Sequence, residues 1–383
     1  MRHWIFTDEH ELFRKTVRKF VANEITPNVE QWEEDGEVPR SLFHRFGELG
    51  YLGIKFPEEY GGGDMDLVTA AVLTEEMARS GSGGVGASIG AHTNIALPVI
   101  ANFGSHAQKE KYLKLGIKGE KIAALGITEP EAGSDVASMK TTAKREGDHY
   151  VLNGSKTFIT NGVNSDFAVI AAKTKEEPQH KNISFFIVEK GTEGFTTGKK
   201  LKKLGWRASD TGELFFDHVK VPAENLIGEE NKGFRYIMKN FQWERLVMAL
   251  GCIGLAEITL EAAVKYSKER TQFGRPIGKF QVLNHKMADM AVEIEKTKHL
   301  TYRALYLYEN GEDALKETTM AKKYASEMIN RVTDQAVQIH GGAGYMMEYP
   351  VQRYWRDGRI QSIGGGTTQV MNEILVKALG ITN

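Results

Sequence analysis

Hydrophobic spacing changes twice along this 383-residue chain, and those changes constrain its fold more than any single motif. From Thr7, a candidate N-cap, the residues Leu12, Phe13, Val17, Phe20 and Val21 recur at helical spacing, and similar patterns run to Leu115. Gly61–Gly63 and the glycine- and serine-rich run from Ser80 to Gly90 read as loops between helices. After Lys121 the pattern shortens to strand-type runs: Tyr150–Leu152, Phe167–Ala171, Ile183–Val188, and Leu214–Phe216 with Val219 and Val221. Turn clusters such as Asn153-Gly154 separate them, and Pro222 with the Gly228–Gly233 segment closes the run. Helical spacing then returns in four stretches, Leu246–Leu260, Phe280–Ile294, Tyr324–Ile339 and Val370–Ala378. The expected fold is mainly α with a central β domain. It comprises an N-terminal helical domain (1–121), a small antiparallel β barrel or sandwich (122–228) and a C-terminal four-helix bundle (229–383).

Composition narrows the function classes. Lys plus Arg total 49 against 50 Asp plus Glu, a net charge of −1, which gives no global attraction to nucleic acid. No stretch approaches the ~18 uninterrupted apolar residues that mark a membrane helix, so an integral membrane protein is not expected. The start, Met1-Arg-His-Trp-Ile-Phe-Thr-Asp-Glu9, lacks the apolar core of a signal peptide and the Arg/Ser-rich character of a transit peptide, which makes a cytoplasmic protein the simplest reading. Cys252 is the only cysteine, and none of the 11 histidines forms a His-Glu-x-x-His pair, so no metal centre is expected.

Two short stretches carry the chemistry. Leu125-Gly-Ile-Thr-Glu-Pro-Glu-Ala-Gly-Ser-Asp135 can turn tightly and present N–H groups, as a pyrophosphate or an amide-rich ring requires. In Lys156-Thr-Phe-Ile-Thr-Asn-Gly162, strand alternation puts Phe158 and Thr160 on one face, an aromatic wall beside a hydroxyl. Plain turns between strands fit both stretches equally well. His340-Gly-Gly-Ala-Gly-Tyr345 is glycine-rich, but a helical pattern precedes it, and a dinucleotide fold requires a strand there. It reads as a helix cap or as a close approach of backbone to a cofactor.

In order and spacing, these stretches resemble the flavin-binding segment of the acyl-CoA dehydrogenase family. Further matches are Glu269-Arg-Thr-Gln-Phe-Gly274, Gln338-Ile-His-Gly-Gly-Ala-Gly344, Tyr349-Pro-Val351, Arg356-Asp357 and Gly365-Gly-Thr367. The resemblance implies FAD as cofactor and removal of an α-proton from an acyl thioester by a glutamate, with the β-hydrogen passing to the flavin. In many members that glutamate precedes the Gly-Thr of the C-terminal motif, where this chain has Gly365. The long-chain and isovaleryl types instead use a helix glutamate in a Glu-Arg-Leu sequence, and Phe241-Gln-Trp-Glu-Arg-Leu246 places Glu244 there. The Gly365 backbone N–H then remains as a donor to the thioester oxygen. A surface carboxylate paired with a nearby cation is the plain alternative for Glu244.

The resemblance assigns flavin contacts to Leu125, Ile127, Thr128, Gly133, Ser134, Phe158, Ile159 and Thr160. Contacts to the adenosine-diphosphate half fall to Arg270, Gln272, Phe273, Phe280, Gln281, Gln338, Gly341, Gly342, Thr367 and Gln369. Ser134, Gln242, Arg245 and Gly366 are implied to touch substrate. It further implies electron-transferring flavoprotein as acceptor and a homotetramer, with flavin sites completed by a neighbouring subunit. Medium-to-long straight acyl chains come first. Branched thioesters come second, because a glycine at 365 leaves space near the substrate Cα. The Ala91–Ala101 stretch, with Ala96, Pro98 and Ala101, is expected to line the pocket. An acyl-CoA oxidase and a non-catalytic acyl-CoA-binding protein are the other readings.

Overall fold

The computed structural model describes residues 3–176 and 178–381. Its N-terminal part is helical. Thr7 starts the Asp8–Phe20 helix by accepting a hydrogen bond from the His10 N–H, and the His10 ring caps back onto the Thr7 N–H. The Asp66 side chain caps Leu67–Ala78 by accepting from the Thr69 N–H. That helix has no polar face to spare: Glu75 and Glu76 are buried, and Arg14 bridges both while the Tyr302 hydroxyl donates to Glu75. These bonds tie the N-terminal helices to the C-terminal ones.

The run from Ser80 to Gly90, expected as a loop, is a helix from Gly83 to Gly90 capped by the Ser82 side chain. Its glycines serve close approach. A Cβ on Gly84 would lie 2.7 Å from the Ala208 backbone nitrogen, and one on Gly83 would lie 2.3 Å from the Trp206 ring nitrogen. Local helix propensity argued against this helix, and packing against the 206–208 turn overrides it. The chain continues through a π-type turn, Ala91–Ala96, into the Leu97–Phe103 helix, so Pro98 falls in the first turn, where its missing N–H costs little.

The sheet has strands β1 (Ala123–Gly126), β2 (Thr142–Glu146), β3 (His149–Thr160), β4 (Phe167–Lys173), β5 (Ile183–Glu189), β6 (Phe195–Thr197), β7 (Thr211–Pro222) and β8 (Leu226–Ile227), paired in the order β6-β7-β3-β2-β4-β5-β8, with β1 on β4. It is mixed, not purely antiparallel: β1 and β2 both pair with β4 in parallel. The long connection from β1 to β4 permits a parallel crossover that no hairpin can make. Asn153-Gly154 is not a turn but a bulge inside β3, with Gly154 at φ +141° and a Cβ there only 2.6 Å from the Thr141 hydroxyl.

Beyond β8 the chain is mainly helical, with one small hairpin after the first helix: Gly233–Glu269, Gln281–Glu309, Leu315–His340, the short Val351–Arg359, and Thr368–Ala378. Two continuous helical stretches, Gly83–Phe103 and Gly233–Glu269, are long and apolar enough to cross a membrane by length and composition. Here Val85, Ile89, Leu97, Leu246, Leu250 and Ile253 are buried in the fold. One core joins Val17, Phe46 and Leu73 to Leu250, Ile253 and Ile329, so the helices from both ends of the chain share an interior. Cys252 is core filler within it. A second core packs Leu97 and Ile100 against Phe167 and Phe185 of the sheet. Asp357 locks the junction by accepting hydrogen bonds from the Gly83 and Trp206 N–H groups at 2.8 and 2.6 Å.

Candidate active site

Glu244 projects from the Gly233–Glu269 helix between the buried Trp243 and Arg245. Its Oε2 is shut off from solvent and has no hydrogen-bond partner. Loss of water disfavours the charged form and pushes its pKa up to about 7, with Arg245 and Lys322 pulling the other way. A carboxyl group in that state is half-ionised near neutrality, as a general base should be.

The turn at Gly364–Gly366 meets this carboxylate. A Cβ built on Gly365 would lie 3.5 Å from Glu244 Oε1 and 2.4 Å from Met248 Sδ. Gly365 and Gly366 have φ of +62° and +99°, a left-handed pair that other residues resist. Thr367 ends the turn by capping Thr368–Ala378, and Lys322 Nζ donates to the Gly366 carbonyl. The Gly365 N–H has no hydrogen-bond partner among the described residues. A carboxylate with a shielded, unpartnered oxygen and a free backbone donor therefore come together, although they lie far apart in sequence. The space expected beside Gly365 is not empty, since Met248 fills it.

On the β side, Leu125 and Ile127 lead from β1 into the loop that carries Thr128, Gly133 and Ser134. Gly133 and Ser134 are exposed. A buried ion pair holds that loop. Lys156 Nζ donates to Glu129 Oε1 at 2.7 Å and to the Ile127 carbonyl at 3.1 Å, and Glu129 also accepts from the Lys140 and Thr141 N–H groups. Burial works against the Glu129 carboxylate, but these donors hold its pKa below the ordinary range, while burial lowers Lys156 to about 8. The end of β3 bulges between Lys156 and Ile159, and Phe158 sits at φ +60° with 69% of its surface exposed. Ile159 points inward, leaving Phe158 and the half-buried Thr160 on the open side. An exposed aromatic held at positive φ beside a hydroxyl is a surface that can receive a flat ring.

Arg270, Gln272, Phe273 and Gln281 are exposed around a small hairpin pairing Thr271–Gln272 with Arg275–Pro276, and Phe273 is 93% exposed. Phe280 packs edge-on against Phe273. Tyr266, one turn before the hairpin, stacks on His340 at 4.3 Å, which brings the exposed Gln338, Gly341 and Gly342 to the same side. His340 ends its helix and Gly341, at φ +59°, caps it. Gln369 is exposed at the start of the last helix. Among the described residues, no hydrogen bond or ring contact joins the hairpin group to the Phe158 group. Gln242 is half-buried near Glu244, and Arg245 is buried with its Nε unpartnered and its guanidinium over Phe241. Burying an unpaired cation is costly unless a ligand completes it.

The residues present fit FAD: an open aromatic face, a hydroxyl, and exposed Arg and Gln donors for a pyrophosphate. Sequence reasoning missed Lys322, Met248 and the Glu129–Lys156 pair. For Lys322 a signal existed, because it stands on the core-facing stripe of its helix with Thr318, Ala325 and Ile329. Nothing local marked Met248.

Comparison with known proteins covers nearly the whole chain. Family models for the acyl-CoA dehydrogenase N-terminal, middle and C-terminal domains match residues 7–120, 124–219 and 231–380. The chain is 43% identical to the mitochondrial long-chain specific acyl-CoA dehydrogenase of Rattus norvegicus, over 98% of this chain and 87% of that protein. It is also 43% identical to the short-chain specific acyl-CoA dehydrogenase of Clostridium acetobutylicum, over 96% of this chain and 97% of that one. The crystal structure of an acyl-CoA dehydrogenase from Geobacillus kaustophilus superposes with a TM-score of 0.96 at 42% identity, covering 99% of this chain and 100% of that one.

Proposed function

The chain belongs to the acyl-CoA dehydrogenase family, whose members are FAD-dependent oxidoreductases, and from that premise we propose that it converts a medium-to-long straight-chain acyl-CoA to the trans-2-enoyl-CoA with Glu244 as the base. The observation that carries this reading is the meeting of an unpartnered, buried Glu244 carboxylate with the glycine turn at 365. Glu244 takes the α-proton, and the Gly365 N–H donates to the thioester oxygen as negative charge develops there. When bound, FAD supplies the acceptor for the β-hydrogen and its electron pair, leaving the Cα–Cβ double bond. Phe158 and Thr160 line the ring, Leu125, Ile127, Thr128, Gly133 and Ser134 hold its central part, and Arg245 holds the CoA end. Arg270, Gln272, Phe273 and Gln281 serve the adenosine-diphosphate half in a neighbouring subunit, which makes the enzyme at least a dimer and, by family resemblance, a tetramer. Electron-transferring flavoprotein is the proposed electron acceptor and the cytoplasm the proposed compartment.

Relatives of equal identity carry long-chain and short-chain names, so chain length is argued from this chain's own residues. Gly86 and Gly90 lie one turn apart on the less buried face of their helix. A Cβ on Gly86 meets nothing within 4 Å, and one on Gly90 meets only Asn94 Nδ2 at 4.0 Å. Asn94 in turn accepts from the Trp243 ring N–H, next to Glu244. This open face leading away from the base suits a long tail. Ala96 is packed into the second core and does not line it. Met248 beside Gly365 disfavours branching close to the thioester.

The test is anaerobic titration of the purified yellow protein with dodecanoyl-CoA, following the visible flavin band in wild type and in Glu244→Gln. Bleaching in the wild type alone is expected. Loss of the band in both proteins would remove Glu244 as the base, and preference for butyryl-CoA over dodecanoyl-CoA would overturn the chain-length assignment.

A further inference from the structure

Lys322 is a charged side chain that the catalytic scheme above does not use, yet it is 1% exposed. It enters the core from the Leu315–His340 helix, and its recorded hydrogen bond runs to the Gly366 carbonyl. An ammonium group is seldom buried without a partner, and here it has a neutral one. A lysine kept at that expense for one carbonyl is doing something an apolar side chain cannot.

What it holds is the turn that contains Gly365. Two successive left-handed glycines give that turn freedom in the unfolded chain and little intrinsic preference for one shape. On one side Gly364 is anchored by its N–H to the Ile360 carbonyl at 2.9 Å, and on the other Thr367 caps the last helix. Between these anchors, Lys322 is the tether recorded on the Gly366 carbonyl. Rotating the Gly365–Gly366 segment would re-aim the free Gly365 N–H relative to the Glu244 carboxylate. We propose that Lys322 is a positioning residue: by tethering the Gly366 carbonyl it aims the Gly365 N–H at the thioester oxygen. This rests on the assignment of Glu244 and Gly365 given above.

The electrostatic surroundings set the direction of the effect. Arg245 and Lys322 are the cations that face Glu244, and both favour its charged form. Lys322 itself is faced by Cys252, Arg245 and Glu244. Removing its charge leaves Arg245 as the cation facing the base, so the pH at which Glu244 ionises moves up.

The experiment compares wild type with Lys322→Gln, which keeps an N–H donor without charge, Lys322→Met, which keeps neither, and Lys322→Arg, which keeps both. Each is measured as flavin-loaded protein with two ligands. Dodecanoyl-CoA reports the rate of flavin bleaching. Its 3-thia analogue, which can lose the α-proton but has no β-hydrogen to give, reports the pH midpoint of α-proton loss through the long-wavelength band of the enolate beside the flavin. Misaiming a donor is expected to slow bleaching by roughly ten- to hundred-fold. The expected order is wild type fastest, then Arg, Gln and Met, with a raised midpoint in Gln and Met and ligand affinity within about three-fold.

Wild-type rate and midpoint in both Gln and Met would overturn the inference. So would a loss of flavin content or folding without any change in the loaded fraction. Should Met fail to fold, the Gln and Arg pair decides. A wild type that neither bleaches nor deprotonates the analogue would instead sink the proposed function and take this inference with it.

Discussion

Glu244→Gln removes the charge of the proposed base while preserving its shape, and its effect on stability follows from burial. In the unfolded chain this carboxyl titrates near 4.5, and in the folded protein near 7. Between those pH values the native state binds more protons than the unfolded state, so stability falls as pH rises. The contribution is fully present below 4.5 and is lost as pH climbs through 7; a gap of that size is worth roughly 3 kcal/mol, an upper figure because Arg245 and solvent can relax around the charge. The assay is guanidinium unfolding of the wild-type and Glu244→Gln proteins at closely spaced pH values from 4 to 8. Other groups titrate alike in both, so the difference between the curves isolates this carboxyl. The Gln variant should gain on the wild type as pH rises, and the rate of flavin bleaching in the wild type should rise with pH to a plateau above 7. Parallel stability curves across the whole range would refute the argument that burial keeps this carboxyl protonated, and with it the physical basis for its action as a tuned base.

Three further outcomes follow from individual contacts. Gly365→Ala combines left-handed strain, about 1–2 kcal/mol, with overpacking against Met248, about 1–3 kcal/mol. In thermal unfolding, Gly365→Ala/Met248→Ala should be less destabilised than the sum of the single variants, because only the overpacking is relieved. Met248→Ala by itself should raise kcat/KM for isovaleryl-CoA relative to dodecanoyl-CoA by roughly ten-fold, the worth of a methylene-sized space; an unchanged ratio would show that Met248 does not face the acyl chain. Lys156→Met leaves the Glu129 carboxylate buried without its cation and should cost about 3–5 kcal/mol, with release of flavin on gel filtration, whereas Lys156→Met/Glu129→Gln should recover part of that stability.

Much of the architecture could be read before any coordinates. The helix, sheet and helix order follows from periodicity, because side-chain direction repeats every 3.6 residues on a helix and every two on a strand. Glu244 and Gly365 were legible as a pair because each departs from the family pattern in a way that the other makes good. Beyond that pair, the spacing of short motifs gives way to contacts between segments distant in the chain. Ser80–Gly90 reads as a loop because glycine lowers helix propensity locally, whereas its value lies in the approach to Ala208 and Trp206, more than a hundred residues away. Asn153-Gly154 reads as a turn although it is a bulge, since the two share their residue types and differ in what lies opposite.

By itself the sequence determined the helical, extended and helical order of the three parts and the family to which the chemistry belongs, and it singled out Glu244 as the candidate base. Each of these is written in the local order of side chains. Only the tertiary structure decided that β1 and β2 pair in parallel with β4, that Met248 fills the place beside Gly365, and that Lys322 reaches the carbonyl of Gly366. The physical reason is that burial, shielding from water and contact distance belong to pairs of segments brought together by the shared core. A lysine on a helix stripe or a methionine one turn from a glutamate has no fixed meaning until the opposing backbone is in place.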